Sequence, residues 1–423
     1  MDYQKFLSTR SKARNPSAIR ALMPHMNNKE MLSLGAGQPN PETFPYASMS
    51  VTLKSGETIT FDEDLFKRSL SYDLTSGLPH LNQWLRELQI KEHAPPCKEF
   101  DLTIGPGSQD LLTKALEMFA EPGSALLVEE PTYTGALSFL ETQPVDLVPV
   151  STDAKGIDPE DLDKILTNWP ESNPSGKKDQ ARPQVLYTVP VGGNPTGVSS
   201  TLERKKRMYE VCQKHDIIII EDDPYYYLQF NTPRTPSYFS MDVDGRVLRM
   251  DSMSKILSSG IRIGWVSGPK VLIERMNMHT MVTNLQPAGV PQLMAYGLLS
   301  QWGHDGFFKH VGNVANFYRE RRDLFVECMN RHLKGLAEWC VPDSGMFCWI
   351  RLLGGITDSN ELILQKAVKK FVLAVPGVAF MPLKNETPCV RVSYSCIEKD
   401  QMDEALHRLA TVIREESEAN AIN

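Results

Sequence analysis

Lys255 is a long cation set among small residues. It lies in "DSMSKILSSGIRIGW", Asp251 to Trp265, with Ser252 and Ser254 ahead of it and Arg262 seven residues behind. Two hydroxyls and a guanidinium can grip a phosphate, the guanidinium in a two-pronged way that a lysine cannot match. Fixed cations nearby and partial burial would disfavour the ammonium form of Lys255 and leave a usable amine nucleophile. Ser258, Ser259 and Gly260 form a compact turn that would bring Arg262 back beside Lys255. Taken alone, the stretch reads equally as a surface loop with one lysine.

Other stretches add to it. "DIIIIEDDPYYY" ends four isoleucines in Asp222 and Asp223, with Tyr225 close behind. "LYTVPVGGNPTG" ends in Asn194-Pro195-Thr196-Gly197, a strong turn signal. "TIGPGSQDLLTKALEMF" passes from a strand-like start through glycines into a helix with an apolar stripe at Leu111, Leu112, Ala115, Leu116 and Phe119. The amides of Gly107, Ser108 and Gln109 at its start, with the helix dipole, favour a phosphate. Each piece has a structural reading: an acidic turn, a plain turn, a Gly-rich helix start. Together they specify one chemistry. A lysine amine forms a Schiff base with an aldehyde, and a carboxylate on a ring nitrogen keeps that ring protonated as an electron sink. Asn and Tyr hydrogen-bond a phenolic oxygen, while helix amides, serines and arginine hold a phosphate. This is the binding logic of pyridoxal 5'-phosphate.

The elements that must position these residues alternate. Apolar β-rich runs occur at 124–131, 145–150, 184–190, 216–223, 246–252 and 262–268, with helical patterns between them. Runs such as "IIII" are apolar almost throughout, as strands covered on both faces are. The alternation implies an α/β domain with a mostly parallel sheet, in which ligands bind beyond the carboxyl ends of the strands. Ser200 or Thr201 is the expected cap of the helix before His215. "ESNPSGKKDQARP" (171–183) reads as an exposed excursion. After about residue 310 the texture changes: helical stretches at 308–335 and 398–419 flank strand-like "MFCWIRL" (346–352) and "VRVSYS" (390–395), which suggests a smaller α+β domain.

Bulk properties agree. The chain has 423 residues, 41% hydrophobic and 23% charged, an ordinary globular composition with room for two or three domains. Net charge is -7, which argues against an extended nucleic-acid surface. No apolar run reaches the length that spans a bilayer. The seven cysteines include no Cys-x-x-Cys pair, so reduced thiols are expected and no metal. The basic, hydroxyl-rich N-terminus lacks a secretory apolar core; a cytoplasmic location is expected, with a mitochondrial presequence left open.

The motifs "NPTG" (194–197), "DDPY" (222–225), "SMSK" (252–255) and "RIGW" (262–265) resemble, in order, those of the fold-type I, class I/II aminotransferases. More narrowly, "ARNPSAIR" (13–20), "SLGAGQPNPETFP" (33–45), "GSQDLL" (107–112), "EEPTYTG" (129–135), "YTVP" (187–190) and "EDDPYYYLQF" (221–230) look like the kynurenine/2-aminoadipate and aromatic aminotransferase group. The resemblance implies the fold of that family. A large pyridoxal-phosphate domain at 47–315, with a mostly parallel seven-stranded sheet between helices, would be joined by a small α+β domain at 316–423. Residues 1–46 would contribute to the small domain and the substrate site.

It also implies roles. Lys255 would carry the cofactor and shuttle the substrate proton, and Asp222 would pair with the ring nitrogen. Asn194 and Tyr225 would contact the ring oxygen, and Tyr133 would stack on the ring. Ser108, Gln109, Ser252, Ser254 and Arg262 would line the phosphate cup. Tyr72 would reach the phosphate of a neighbouring subunit, so a homodimer with shared sites is implied. Arg391, which alone reads as an exposed strand arginine, would bind the substrate α-carboxylate. Arg20, Gly37, Tyr72, Asn194, Phe347 and Leu285 would stand near the substrate, though Arg20 also reads as a solvated helix residue and Phe347 as plain core. Gln38 stands where the group carries Leu, and Val191 to Gly193 replace a more polar lead-in.

The implied reaction is ping-pong amino transfer from 2-aminoadipate, kynurenine or an aromatic amino acid to a 2-oxo acid such as 2-oxoglutarate. A lyase or decarboxylase on the same scaffold is a rival that product identity would separate. A cofactor-sensing regulator is disfavoured, because the aminotransferase pattern starts near residue 13 and leaves no room for a DNA-binding domain.

Overall fold

The computed structural model describes residues 1–422 apart from 19–21, 23, 24, 26, 27, 29, 33, 35 and 36. In chain order its principal elements are β1 (Phe100–Gly105), α1 (Ser108–Phe119), β2 (Ala125–Glu130), β3 (Asp146–Asp153), β4 (Gly156–Ile157), β5 (Val185–Thr188), α2 (Leu202–His215) and β6 (Ile218–Asp222). Then come β7 (Val247–Ser252), β8 (Gly264–Pro269), α3 (Lys270–Thr283), β9 (Ala337–Trp339), β10 (Phe347–Leu352), β11 (Val375–Pro376) and β12 (Cys389–Ser393). Every apolar run read as a strand is one. The helix expected at 308–335 is part of a longer run, Gly289–His332, broken at Gly303 (φ 62°, ψ -179°), and that at 398–419 is Met402–Ile422. Among the described residues no helix is long and apolar enough to cross a membrane.

The chain divides into two compact units, Met1–Glu121 with Phe239–Lys309 and Pro122–Tyr238 with His310–Asn423. In the first, β8 runs antiparallel to both β1 and β7, so that Gly264 faces Gly105 on one side and Ser252 on the other. Helices α1 and α3 pack against each other and against β8. A fully buried ion pair runs along β7, Arg249 Nη2 to Asp251 Oδ1 at 2.8 Å, and fixes the strand just before Ser252. The short N-terminal helix Thr9–Ala13 is fastened by Ser11 Oγ to His279 Nε2 at 2.9 Å and by Arg275 Nη1 donating to Ser11 O and Arg14 O.

In the second unit, β6, β5, β2 and β3 form a parallel array in that order, and the two-residue β4 closes a hairpin on β3. With three strands in the first unit and five here, the count is one above the seven expected; β4 is too short to leave a sequence signal. Isoleucines 218 to 220 are wholly buried, which is why β6 shows no polar alternation. Thr201 caps α2 by accepting from Arg204 N–H. A second, antiparallel sheet has the order β9-β10-β12-β11.

The 171–183 excursion forms no helix or strand but is not simply exposed. Asn173 and Gln180 are buried, Asn173 Nδ2 donates to Gln180 Oε1 at 2.6 Å, and Gln180 Nε2 donates to Gly123 O at 2.9 Å and Asp146 Oδ2 at 2.8 Å. Polar residues here satisfy one another, so burial costs little.

Glu129 in β2 is another buried polar group. Burial pushes its carboxyl up to about 7, against the hydrogen bonds it accepts from Thr188 Oγ1 and Val189 N–H. The folded chain therefore holds this proton more tightly than the unfolded one. The stabilisation is complete below the ordinary value of 4.5 and is lost as pH rises through 7. Glu129→Gln should remove that loss. Urea unfolding should show the variant gaining roughly 3 kcal/mol on its parent between acid and mildly alkaline pH; parallel stability curves would contradict this.

Candidate active site

The first unit builds a cradle of donors. Because Gly264 in β8 faces both Gly105 and Ser252, the carboxyl ends of β1 and β7 and the start of β8 meet at one edge. Ser108 and Gln109 follow β1, Ser254 and Lys255 follow β7, and Arg262 precedes β8. Ser252 is buried and caps the turn Met253–Lys255 by accepting from Ser254 N–H at 3.2 Å. Lys255 ends that turn, half-buried. Arg262 is left-handed (φ 52°), a conformation that costs a residue with a Cβ about 1–2 kcal/mol. Its guanidinium is held there: Nη1 donates to Ser254 Oγ at 3.2 Å and Ser259 O at 3.1 Å, and Nη2 to Pro106 O at 3.2 Å.

Gly107 and Gly264 make room for this. Gly107 caps α1 at φ 90° and, having no side chain, gives the first helix amides no side-chain cap. A Cβ on Gly107 would lie 2.1 Å from Arg262 Nη2, and one on Gly264 would lie 2.6 Å from Ser108 N.

The second unit gathers a different set. Asp222 ends β6, 4% exposed, and accepts from the Tyr187 hydroxyl at 2.9 Å. Tyr225 is buried three residues on; burial first, then the Asp222 charge, pushes its phenol above the usual range, while Arg391 and a hydrogen bond with Asn194 pull the other way. Asn194 is buried in the turn after β5 and accepts from Arg391 Nη1 at 2.9 Å. Arg391 lies in β12, its guanidinium 4.5 Å from the Phe347 ring centre and 5.1 Å from that of Phe380. The Tyr225 ring meets Phe347 edge-on at 5.8 Å. Arg391 Nε is buried and finds no hydrogen-bond partner among the described residues. Arg391 is thus half-buried, not the exposed strand residue its sequence alone suggests. Tyr133 is half-buried at the start of the helix Thr134–Leu140 that follows β2.

The remaining expected residues are less gathered. Arg20 lies outside the described residues. Gly37 is exposed, and a Cβ there would meet nothing within 4 Å. Tyr72 and Leu285 are exposed and line, with Gln38, Phe44, Ser71 and Gln286, a cavity of about 420 Å³ within the first unit. Gln286 knits its two loops together, accepting from Asp73 N–H and donating from Nε2 to Ser71 O.

Three residues near these sets were not read from sequence. Tyr187 sits inside a short strand buried on both faces, where no alternation singles it out. Phe380 ends a turn far in sequence from its partner. Glu129 was visible only as part of "EEPTYTG".

Residues 29–409 match the family model for class I and II aminotransferases. The chain is 44% identical over 427 residues to the mitochondrial kynurenine/alpha-aminoadipate aminotransferase of Bos taurus, covering 98% of this chain and 100% of that protein. The crystal structure of aminotransferase Aro8 from Candida albicans superposes with a TM-score of 0.89 at 28% identity, over 99% of each chain. That of the kynurenine aminotransferase of Pyrococcus horikoshii in complex with PMP gives 0.76 at 29% identity, over 98% of each chain. The chain belongs to the class I and II aminotransferases, enzymes of fold type I that transfer amino groups with pyridoxal phosphate. Its similarity to kynurenine/alpha-aminoadipate and aromatic amino acid aminotransferases extends over nearly its whole length.

The residues present suit that cofactor. Helix-start amides, hydroxyls and a guanidinium are donors for a phosphate dianion. A buried carboxylate suits a protonated ring nitrogen, and the orphaned Nε of Arg391 calls for an anionic acceptor. Gly107→Ala should displace Arg262 and destabilise the folded chain by about 1–2 kcal/mol or more. It should also weaken pyridoxal phosphate binding roughly tenfold or more in a fluorescence titration. An unchanged dissociation constant would argue against the cradle.

Proposed function

We propose that this transaminase takes its amino group from 2-aminoadipate, kynurenine or an aromatic amino acid and delivers it to a 2-oxo acid, with 2-oxoglutarate the main acceptor. The observation that carries the α-amino-acid reading is Arg391. Its guanidinium is positioned by Asn194, sandwiched near two aromatic rings, and retains a buried unsatisfied N–H. It would bind the substrate α-carboxylate with two prongs. The choice of donors follows the function named for the Bos taurus relative and the group it belongs to.

Pyridoxal phosphate supplies, when bound, an electron sink that acidifies the substrate Cα. Ser108, Gln109, Ser252, Ser254 and Arg262 would hold its phosphate, Lys255 would hold it covalently through Nζ, and Asp222 would hold its ring nitrogen. Asn194 and Tyr225 would hold its ring oxygen, and Tyr133 would cover the ring face. Lys255 Nζ would then take the proton from the substrate Cα. Tyr225 and Asn194 are buried, which keeps water from the side chains that would hold the ring oxygen.

The same proposal includes a homodimer. Tyr72, 51% exposed, would extend its hydroxyl to the phosphate bound by a second copy. Arg20, Gly37, Tyr72, Asn194 and Phe347 would face the substrate side chain. The division into a cofactor domain at 47–315 and a small domain at 316–423, with 1–46 serving the substrate site, belongs here too. For compartment, the mitochondrial alternative gains support from the location named for the Bos taurus relative.

Adding a donor alone to cofactor-loaded protein should shift the cofactor's absorbance in a single turnover and yield a 2-oxo acid. No shift with any amino acid would reject the reading, and an amine or pyruvate product would favour the lyase or decarboxylase rival. Lys255→Ala should retain noncovalent cofactor binding but lose turnover by more than the ~10⁴-fold ceiling of a single acid–base role. Arg391→Ala should lower kcat/KM by about 10²-fold or more for every α-amino acid alike; a loss confined to one donor would contradict an α-carboxylate role.

A further inference from the structure

We infer that Tyr187 is a positioning residue for the reaction: it holds the Asp222 carboxylate ionised and aimed. The inference rests on the reading of Asp222 as partner of the cofactor ring nitrogen. Tyr187 lies in β5 and is wholly buried. Parallel pairing sets it level with Ile220 of β6, so its ring reaches diagonally past the backbone to the residue two positions further on. That residue is Asp222, and the phenol donates to its Oδ2 at 2.9 Å.

Three features suit the role. A carboxylate at 4% exposure stays anionic only if donors replace the water it has lost. Burial first, then the Asp222 charge, pushes the Tyr187 phenol well above its ordinary value, so it remains a donor throughout the working pH range. The bond also fixes one carboxylate oxygen in direction, which a mobile water would not. A serine or threonine at 187 would be too short to span two strands, and a phenylalanine would fill the space without donating. Tyr187 need not touch substrate or cofactor. It would act through Asp222 alone, and this separates it from a residue that merely packs.

A double-mutant cycle on the pyridoxal-phosphate holoenzyme tests this, read by the cofactor dissociation constant and the visible absorbance of the bound cofactor. Tyr187→Phe should weaken cofactor binding roughly tenfold, the scale of one hydrogen bond to a charged group. It should also move the absorbance band toward that of Asp222→Asn. In the Asp222→Asn background the same change should cost less than about twofold, because the acceptor charge is already gone. Equal weakening in both backgrounds would mean a general packing role and overturn the inference. No weakening in the parent would overturn it too, while leaving the Asp222 reading intact if Asp222→Asn itself weakens binding. Should Asp222→Asn leave affinity and spectrum unchanged, the Asp222 reading fails and the inference falls with it. If Tyr187→Phe does not fold, Tyr187→Met, which fills volume without a donor, replaces it in the cycle with the same expectations.

Discussion

The site depends first on the register of β8. One glycine, Gly264, stands opposite both Gly105 and Ser252, so three strand ends arrive at one edge. No side chain larger than hydrogen fits there, because the Ser108 amide lies where a Cβ would be. This close approach sets the start of α1 beside the turn that carries Ser254 and Lys255. Arg262 completes the arrangement in a left-handed conformation. Its strain of about 1–2 kcal/mol is offset by three hydrogen bonds, each worth about 1 kcal/mol net. A flexible arginine on an ordinary loop would lose more entropy on gripping a phosphate than one already held.

The second unit solves a different problem, that of keeping charges away from water. Asp222 receives a phenol donor, and Arg391 receives an amide acceptor and two aromatic faces. Burial of a lone ion costs several kcal/mol, so these partners are a condition for the charges being there at all. Arg391 keeps its buried Nε donor without a partner among the described residues. Glu129 is also buried, and although it accepts two hydrogen bonds its carboxyl rises to about 7, so that protonated and ionised forms are both populated at neutral pH.

Much of this was legible from residue types. The strands were visible because buried parallel strands are apolar throughout, and the residues proposed to hold a phosphate stood out only in combination, since each hydroxyl, guanidinium or helix start alone reads as plain structure. Lys255, Ser252, Ser254 and Arg262 stood together in fifteen residues. What stayed hidden depends on pairing. Tyr187 becomes meaningful only once β5 and β6 are in register, since nothing in "VLYT" marks the tyrosine as a donor. Phe380 becomes a neighbour of Arg391 only through the fold. Asn173 and Gln180 looked like surface amides because composition cannot reveal that they satisfy each other.

The central claim is that the amine reacting with the cofactor aldehyde belongs to Lys255. Loading the protein with pyridoxal phosphate, reducing with borohydride and mapping the peptides by mass spectrometry tests it directly. The account predicts a single pyridoxyl-modified peptide, with the label on Lys255. A label on another lysine, with Lys255 unmodified, would contradict it.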